Sequence, residues 1–384
     1  MKAQTIPYGR QTITEEDIAA VVQTLQSDFL TQGPKVPEFE KNFADYVGAK
    51  YAVACSNGTA ALHLSAIALN VNAQKKVLST PITFAASTNG ILYCNGKVDF
   101  VDIDAVSFTI DLNKLEDKLK TAHYSGIVPV DFAGMPVDME NIRSLADKYN
   151  CWIIEDACHA PGAYFYDSNN KKQHCGNGVY ADLTVFSFHP VKHIACGEGG
   201  MITTNNEKLY QKLSALRSHG IVREASLMKE NHGGWYYEMQ DLGYNYRMTE
   251  ILASLGISQL KKIDKNLVRR HEIAKKYNEA LHNIGDIELS YIPDKNFHAL
   301  HLYVIKTNRR LELFNYLREN NIFAQVHYIP VHTLPYYQKL GFKKGDFPIA
   351  ENYYEKCLSI PLYHGLSEEN QAYVIDKIKA FFAT

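Results

Sequence analysis

The sequence has almost no net charge and no long apolar run. It holds 40 lysines and arginines against 42 aspartates and glutamates, and its pI is about 6.7. This balance argues against a nucleic-acid binder, so any phosphate must be bound by local groups. No apolar stretch approaches a membrane span, and the opening MKAQTIPYGRQ lacks the apolar core of a secretory signal. We therefore expect a cytoplasmic protein with neither nucleic acid nor membrane as a partner.

The sequence also lacks a cysteine pattern. Its seven cysteines are irregularly spaced, odd in number and never paired as CxxC. This usage predicts reduced thiols, as in the cytoplasm. Histidines near Cys158 and Cys175 leave zinc as a minor alternative, but the spacing is not that of a zinc site, and we expect no metal.

What the sequence does contain is an alternation of helix and strand patterns. Residues 14–27 predict a helix, with Thr14 as N-cap and an acidic first turn, and residues 37–47 predict another. Further helical stretches are residues 59–69, 138–149 and 206–217. Between them lie the β-rich runs YAVAC, KVLST, KVDFVDI, GIVPVDF, WIIEDA, LTVFSF and GGMITT. This order predicts an α/β fold with a mostly parallel central sheet sandwiched by helices.

The pattern changes near residue 250. A long helical pattern runs through ILASLGISQLKKIDKNLVRRHEIAKKYNEALHNI, followed by the strand-like runs ALHLYVIKT and AQVHYI and by further helices. We expect a large α/β domain over residues 1–250 and a smaller α+β domain over residues 251–384, with the boundary at residues 248–252.

Lys192 lies in LTVFSFHPVKHIACGEGGMITT, between a strand pattern and a glycine-rich turn. Most lysines are solvated surface residues, and that interpretation stays open at this point. Few charged residues flank Lys192, so a sharp return of the chain would enclose its amine. Desolvation lowers the pKa of a lysine, and an unprotonated amine is what forms a Schiff base. Lys192 is therefore a candidate nucleophile.

Asp156 ends an apolar run, at the strand end where α/β sheets place ligand-binding groups. A carboxylate there could keep the pyridine nitrogen of pyridoxal phosphate protonated. Two alternatives stay open: Asp156 caps the next helix, or Glu155 takes the role. Neighbouring side chains on a strand face opposite ways, so only one of the two acids can point into a site.

Three weaker signals accompany these two residues. The segment SNGTAALHL predicts a helix N-terminus, where free amides bind phosphate and Gly58 permits close approach, although an ordinary turn has the same pattern. Phe84 could stack on a flat ring, but a core position is the commoner role. Ser187 and His189 could reach a phosphate or simply alternate along a strand. Together, this chain order is typical of a fold-type I pyridoxal-phosphate (PLP) enzyme.

Six segments then resemble the DegT/StrS family of sugar aminotransferases: TPITFAAST, EDACHA, FSFHPVKHIACGEGG, RSHGI, DLGYNYRMTE and HYIPVH. The resemblance covers essentially the whole chain. The phrases FSFHPVK, QDLGYNYR, LGISQLKKID and QVHY resemble the branch that acts in pseudaminic acid biosynthesis. That likeness implies amino transfer from L-glutamate to the C4 keto group of a UDP-linked 4-keto-6-deoxy-N-acetylhexosamine.

The resemblance also implies roles for individual residues. Lys192 matches the Schiff-base lysine, and Asn245 matches a residue that reaches the neighbouring subunit's site, which implies a homodimer. The other positions that match contacts to PLP (or its amino form, PMP) are Gly58, Thr59, Ala60, Phe84, Asp156, His159 and Ser187. The positions that match the sugar-nucleotide site are Tyr8, Asp28, Phe29, Leu30, Thr31, Gln325, Val326, His327 and Tyr328.

A few features bear on the alternatives. Family members that dehydrate sugars carry histidine where this chain has Lys192, so the lysine favours transamination, and His193 is expected to face elsewhere. SNGTAAL and IACGEGG depart from the closest pattern, which leaves a GDP-perosamine-synthase type of aminotransferase as an alternative, beside the dehydratase and a catalytically silent relative. The aromatic segment from Val222 to Gln240 is a candidate substrate lid.

Overall fold

The computed structural model describes residues 5–291 and 295–383. The strands are β1 (Ile6–Pro7), β2 (Tyr51–Cys55), β3 (Lys76–Ser79), β4 (Lys97–Phe100), β5 (Gly126–Val128), β6 (Trp152–Asp156), β7 (Tyr164–Tyr166), β8 (Lys172–His174), β9 (Leu183–Ser187), β10 (Gly200–Thr204), β11 (Ile221–Val222), β12 (Glu238–Met239), β13 (Glu288–Leu289), β14 (Asn296–Phe297), β15 (Tyr303–Lys306), β16 (Ile322–Phe323) and β17 (Cys357–Ile360). The α-helices are α1 (Glu15–Leu25), α2 (Lys35–Val47), α3 (Gly58–Ala68), α4 (Ala86–Tyr93), α5 (Leu112–Thr121), α6 (Met139–Tyr149), α7 (Glu207–Leu216), α8 (Glu250–Leu260), α9 (Ile263–Leu281), α10 (Arg310–Glu319), α11 (Pro335–Gln338), α12 (Pro348–Lys356) and α13 (Glu368–Phe382).

A seven-stranded sheet forms the centre of the molecule, in the order β2-β10-β9-β6-β5-β3-β4. Within it, β9, β6, β5, β3 and β4 pair in parallel, and β10 runs antiparallel to both of its neighbours. Strands β5 and β10 are buried along their whole length, as expected where helices cover both faces. The predicted α/β class and mostly parallel sheet are confirmed.

Alternating side chains of the sheet pack into two apolar cores, one on each face. Val185 and Ile202 pack with α3 on one face, whereas Phe186 and Met201 pack with Phe39 of α2 on the other. Successive residues of a strand face opposite ways, so each strand serves both cores. No helix within residues 5–291 and 295–383 has the length and apolarity needed to cross a membrane.

The long helical pattern after residue 250 is divided into α8 and α9. Asp17, near the start of α1, anchors the junction, because its carboxylate accepts hydrogen bonds from Gln259 (2.8 Å) and Lys262 (2.7 Å). Helix α8 packs against α1 and α2, while Tyr277 and the later part of α9 join a core with Ile6, β15 and β17. The division into residues 1–250 and 251–384 stays a prediction.

Two strand predictions in the C-terminal part are wrong, one over its whole length and the other over about half. The run AQVHYI follows β16, which ends at Phe323, and forms an isolated bridge between Gln325 and Ser359 in place of a strand, while the carbonyl of His327 accepts from the Tyr353 hydroxyl (2.9 Å). In ALHLYVIKT only β15 is a strand. The preceding residues turn sharply at Leu300, where φ is +52°, because their amides bond to carbonyls of residues 133 and 134.

Candidate active site

A cavity of about 490 Å³ opens at the carboxyl edge of the parallel strands. Asp156 ends β6 and Ser187 ends β9, while Gly58 and Phe84 follow β2 and β3. Loops at the carboxyl ends of neighbouring parallel strands meet at one edge, where open α/β sheets bind ligands. The sequence-predicted residues that line this cavity are Tyr8, Gly58, Thr59, Phe84, Asp156, His159, Ser187, Lys192, His327 and Tyr328.

Lys192 projects into this cavity from the turn between β9 and β10. Burial lowers the pKa of Lys192 to about 8, and the nearby Asp156 carboxylate partly opposes this shift. At that pKa on the order of one amine in ten is unprotonated at neutral pH. The surface interpretation of Lys192 is therefore wrong. His193 faces elsewhere, as expected: its Nε2 lies 2.8 Å from the carbonyl oxygen of Ala299.

The two adjacent acids of β6 point in opposite directions. Asp156 faces the cavity, where its carboxylate accepts from the Ser87 hydroxyl (2.6 Å) and from the amide of Cys158 (3.2 Å). Glu155 lies behind the strand and accepts from the Thr184 hydroxyl at 2.7 Å. Of the two acids, Asp156 alone can contact a ligand in the cavity.

The start of α3 forms one end of the cavity. Asn57 caps the helix by accepting from the amide of Ala60 (2.8 Å), so Ala60 is engaged with the cap and does not line the cavity. Gly58 keeps this end of the cavity open, because a Cβ at this position would lie 3.0 Å from the Cβ of Ser187, a tight contact. The amides of Gly58 and Thr59, with the Ser187 hydroxyl, form a cradle suited to a phosphate.

His159 presents a fixed hydrogen-bond donor to the cavity. Burial lowers the pKa of His159 well below its usual range, so the ring is neutral. Its Nδ1 accepts from the amide of Ala133 (3.2 Å), which leaves the hydrogen on Nε2, 3.2 Å from the Tyr328 hydroxyl. A neutral imidazole with a donating Nε2 can hydrogen-bond an oxygen of a bound ring.

Phe84 is exposed and does not belong to the core. It is 62% exposed and borders the cavity, with its ring centroid 6.1 Å from that of Tyr328. Tyr8 approaches from the amino-terminal segment, and its ring centroid lies 4.9 Å from that of His327. These rings surround a space that could hold a flat heterocycle and part of a sugar.

Several other predicted site residues lie outside this cavity. Gln325 is exposed and pairs through its backbone with Ser359, and Val326 packs into the neighbouring cores. Asn245 is exposed beside Ser218. The remaining ones form an exposed segment after α1, namely Asp28, Phe29, Leu30 and Thr31. The structure does not bring these residues to the cavity of their own chain.

Residues that the sequence did not single out also belong to the site. Ser87 hydrogen-bonds Asp156, and His301 places its Nε2 3.4 Å from the Lys192 amine. Cys158 and Glu198 line the cavity as well. One signal was available: His301 is a polar residue inside the largely apolar stretch ALHLYVI.

A cluster of metal-ligand types lies behind β6. Asp131, Glu155 and Cys175 are buried, and their ligand atoms lie within 4.8 Å of one another. Burial raises the pKa of both carboxyls, and repulsion from Glu155 raises that of Asp131 further. Burial also raises the pKa of the Cys175 thiol. Metal ligands must be deprotonated, whereas these shifts favour the protonated forms of the buried carboxyls.

A partly buried lysine, an acid on a strand end and a helix N-terminus thus surround one cavity. The profile of the DegT/DnrJ/EryC1/StrS aminotransferase family matches residues 11–379. A Campylobacter jejuni relative, the UDP-4-amino-4,6-dideoxy-N-acetyl-beta-L-altrosamine transaminase, is 38% identical, covering 97% of this chain and 96% of its own length.

Solved structures agree with this match. Helicobacter pylori PseC, an aminotransferase involved in the biosynthesis of pseudoaminic acid, has a TM-score of 0.89 at 29% identity, covering 99% of this chain and 100% of PseC. Streptococcus pneumoniae Spr1654, assigned as a sugar aminotransferase and solved in its PLP form, has the same TM-score and identity and 99% coverage of both chains. The chain belongs to the DegT/DnrJ/EryC1/StrS family and is a sugar aminotransferase.

Proposed function

We propose that this protein transfers an amino group from L-glutamate to the keto group of a nucleotide-linked sugar, with pyridoxal phosphate as its cofactor and Lys192 as the attachment residue. The observation that carries the proposal is the position of the Lys192 amine, in one cavity with Asp156 and with the free amides at the start of α3. The PLP form of Spr1654 supports the same cofactor.

The residues of the cavity fit this cofactor. Gly58, Thr59 and Ser187 form the cradle for the phosphate, where a Cβ on Gly58 would occupy the space. Asp156 would face the pyridine nitrogen, and the Nε2 hydrogen of His159 would face the phenolic oxygen. Phe84 would cover one face of the ring. When bound, the cofactor withdraws electrons from the carbon whose proton is removed.

Lys192 moves the proton in both halves of the reaction. Its amine would remove the proton from the α-carbon of the bound amino donor, and in the second half it would deliver a proton to the carbon of the sugar that receives the amino group. Its pKa of about 8 suits this role, because an acid-base group works best near the operating pH. Help of this kind is typically worth about a hundred- to ten-thousand-fold in rate.

For the substrate we propose a UDP-linked 4-keto-6-deoxy-N-acetylhexosamine, aminated at C4 in the pseudaminic acid pathway. The support is the likeness to the Campylobacter jejuni transaminase and to PseC. Tyr8, His327 and Tyr328 border the cavity and would contact the sugar. An aminotransferase for another nucleotide-linked 4-keto-6-deoxy sugar is the alternative.

We also propose that the protein is a cytoplasmic homodimer whose two subunits share their active sites. Asn245 and the segment from Asp28 to Thr31 lie outside the cavity of their own chain, which suits residues that serve a neighbouring subunit's site. Phe29 and Leu30 are about half exposed, at 51% and 48%, and would be buried in such a contact. Sedimentation equilibrium and mixed-subunit complementation between Lys192→Ala and Asn245→Ala test this arrangement.

The experiment for the function offers UDP-, GDP- and dTDP-linked 4-keto-6-deoxy sugars with glutamate and follows product mass. We expect a UDP-linked product whose keto oxygen is replaced by an amino group, formed with one equivalent of 2-oxoglutarate. A preference for GDP-linked sugars would contradict the proposed UDP-linked substrate. A product that has lost water would show that the protein is a dehydratase and not an aminotransferase. Lys192→Ala is the matched negative control.

A further inference from the structure

His301 lies within hydrogen-bond distance of the Lys192 amine, with 3.4 Å between Nε2 and Nζ. It is 4% exposed, and its other ring nitrogen, Nδ1, has no hydrogen-bond partner among the described residues. The other charged or titratable groups around this ring are His159, His193 and Arg270, the first two with ring centroids 4.3 and 5.6 Å away.

The backbone next to His301 is strained, and several hydrogen bonds hold it in this conformation. The preceding residue, Leu300, has φ of +52°, a left-handed conformation that non-glycine residues rarely adopt. The amide of His301 donates to the carbonyl of Ala133 at 2.8 Å. The buried guanidinium of Arg270 donates to the carbonyls of Leu300 (3.0 Å) and Leu362 (3.1 Å) and, more weakly, of His301 (3.5 Å). Strained backbone conformations of this kind cluster at functional sites, and here a buried cation stabilises the strained turn.

The chemistry of the pair follows from the relative basicity of its members. Burial lowers the pKa of His301 well below its usual range, whereas that of Lys192 is about 8. A proton on the pair therefore rests on Lys192, and the neutral imidazole accepts a hydrogen bond from the ammonium through Nε2. Hydrogen bonds to a charged partner are the stronger kind in protein interiors.

We propose that His301 is a further catalytic group of this site, which accepts a hydrogen bond from the Lys192 ammonium whenever that lysine carries the transferred proton. The proposal rests on the proposed role of Lys192. As the C–H bond of the donor breaks, the proton forms a new N–H bond on Lys192 and the electron pair passes to the bound cofactor. His301 stabilises the ammonium so formed and leaves the proton on the lysine for its return.

The first test measures Lys192 itself, without turnover. The full chain, freed of cofactor, is treated with acetic anhydride over a range of pH, and acetylation of the Lys192 peptide is followed by mass spectrometry. In His301→Leu we expect the free-amine fraction at neutral pH to rise several-fold, because the acceptor that favours the ammonium is lost. His301→Gln, whose carboxamide oxygen can accept, should restore most of the wild-type profile.

The matched control is His332→Gln. His332 is as deeply buried, but its Nε2 pairs with Glu351 at 2.9 Å, and it does not line the cavity. This control should leave the acetylation profile of Lys192 unchanged. An unchanged profile in His301→Leu, or an equal change in the control, would overturn the proposal.

The second test is a single turnover of the cofactor-loaded enzyme with glutamate. We expect His301→Leu to slow the proton-transfer step about ten- to a hundred-fold at unchanged glutamate affinity, with an increased isotope effect for α-deuterated glutamate. His301→Gln should fall between. A loss confined to glutamate affinity would contradict the proposal. Failure of the proposed function is separate: wild type itself would then give no turnover, while the acetylation profile would still report on the pair.

Discussion

The Ser87 hydroxyl donates a hydrogen bond of 2.6 Å to the carboxylate of Asp156 and thereby fixes the acid that faces the cavity. The hydroxyl of Thr83 lies 2.6 Å from the same oxygen of Ser87 and orients it. Because a hydrogen bond to a charged group is worth about 1.5–3 kcal/mol, its loss should be measurable in cofactor binding.

Ser87→Ala should therefore weaken retention of pyridoxal phosphate at least about tenfold, measured by equilibrium dialysis or cofactor fluorescence. Ser65→Ala is the matched control, because Ser65 is equally buried and its hydroxyl donates to the carbonyl of Ala61 in its own helix. Equal affinity of Ser87→Ala and wild type would mean that Asp156 needs no support from this residue.

Gly58→Ala should fill the phosphate cradle. The added Cβ would lie 3.0 Å from the Cβ of Ser187, so cofactor affinity should fall about tenfold or more, while alanine in a helix slightly favours folding. The double variant with Ser187→Gly should recover part of the space. We would measure cofactor dissociation and thermal unfolding together; a loss of stability in place of affinity would contradict the cradle.

The buried amine of Lys192 should make the stability of the cofactor-free protein depend on pH. Its pKa is about 8 in the folded chain and near 10.4 when unfolded, so the unfolded chain binds more protons between these values. Stability should then rise with pH from about 8 to 10.4, by at most about 3 kcal/mol. Urea unfolding of Lys192→Met should lack this rise, whereas the exposed Lys208→Met should keep it. Parallel profiles for wild type and Lys192→Met would show that the amine is solvated.

The buried carboxyls of Asp131 and Glu155 behind β6 predict that Asp131 tolerates replacement by asparagine. Asp131 accepts from the amide of Val137 (2.9 Å), and burial beside Glu155 raises its pKa. Asparagine keeps the acceptor and is neutral like a protonated carboxyl, so Asp131→Asn should cost under about 1 kcal/mol, whereas Asp131→Leu should cost about 3 kcal/mol.

The pH dependence of the same variant has a definite sign. A carboxyl with a raised folded pKa gives stability that is lost as the pH rises above its ordinary value of about 4, so the stability of Asp131→Asn should gain on that of wild type as the pH rises from there. Urea unfolding over a series of pH values measures this. Protonation of the Asp131 carboxyl would be refuted if Asp131→Asn destabilised the protein as much as Asp131→Leu.

Much of this architecture could be predicted from local sequence patterns. The seven strands of the central sheet and helices such as α3 and α6 follow from apolar periodicity and from caps such as Asn57. Asp156 could be found because it ends an apolar strand, and Lys192 because it lies in the turn that follows one. The resemblance to a family added roles that no single motif carried.

The missed features depend on long-range contacts. His301 reaches Lys192 because Arg270 and Ala133 bend the chain at Leu300, and a propensity for strand gives no sign of that bend. The run AQVHYI likewise forms an isolated bridge at Gln325 in place of a strand, and its His327 carbonyl accepts from Tyr353, which is distant in sequence. Tertiary hydrogen bonds overrode local propensity at both places, and His301, His327 and Tyr328 line the cavity.

The measurement that tests the central claim most directly is the site of covalent cofactor attachment. The cofactor-loaded protein is reduced with borohydride and digested, and the modified peptide is sequenced by mass spectrometry. We expect the phosphopyridoxyl group on Lys192, in the peptide that contains FSFHPVK, with no label in Lys192→Ala. Attachment to another lysine, or no attachment in a protein that still transaminates, would contradict the account.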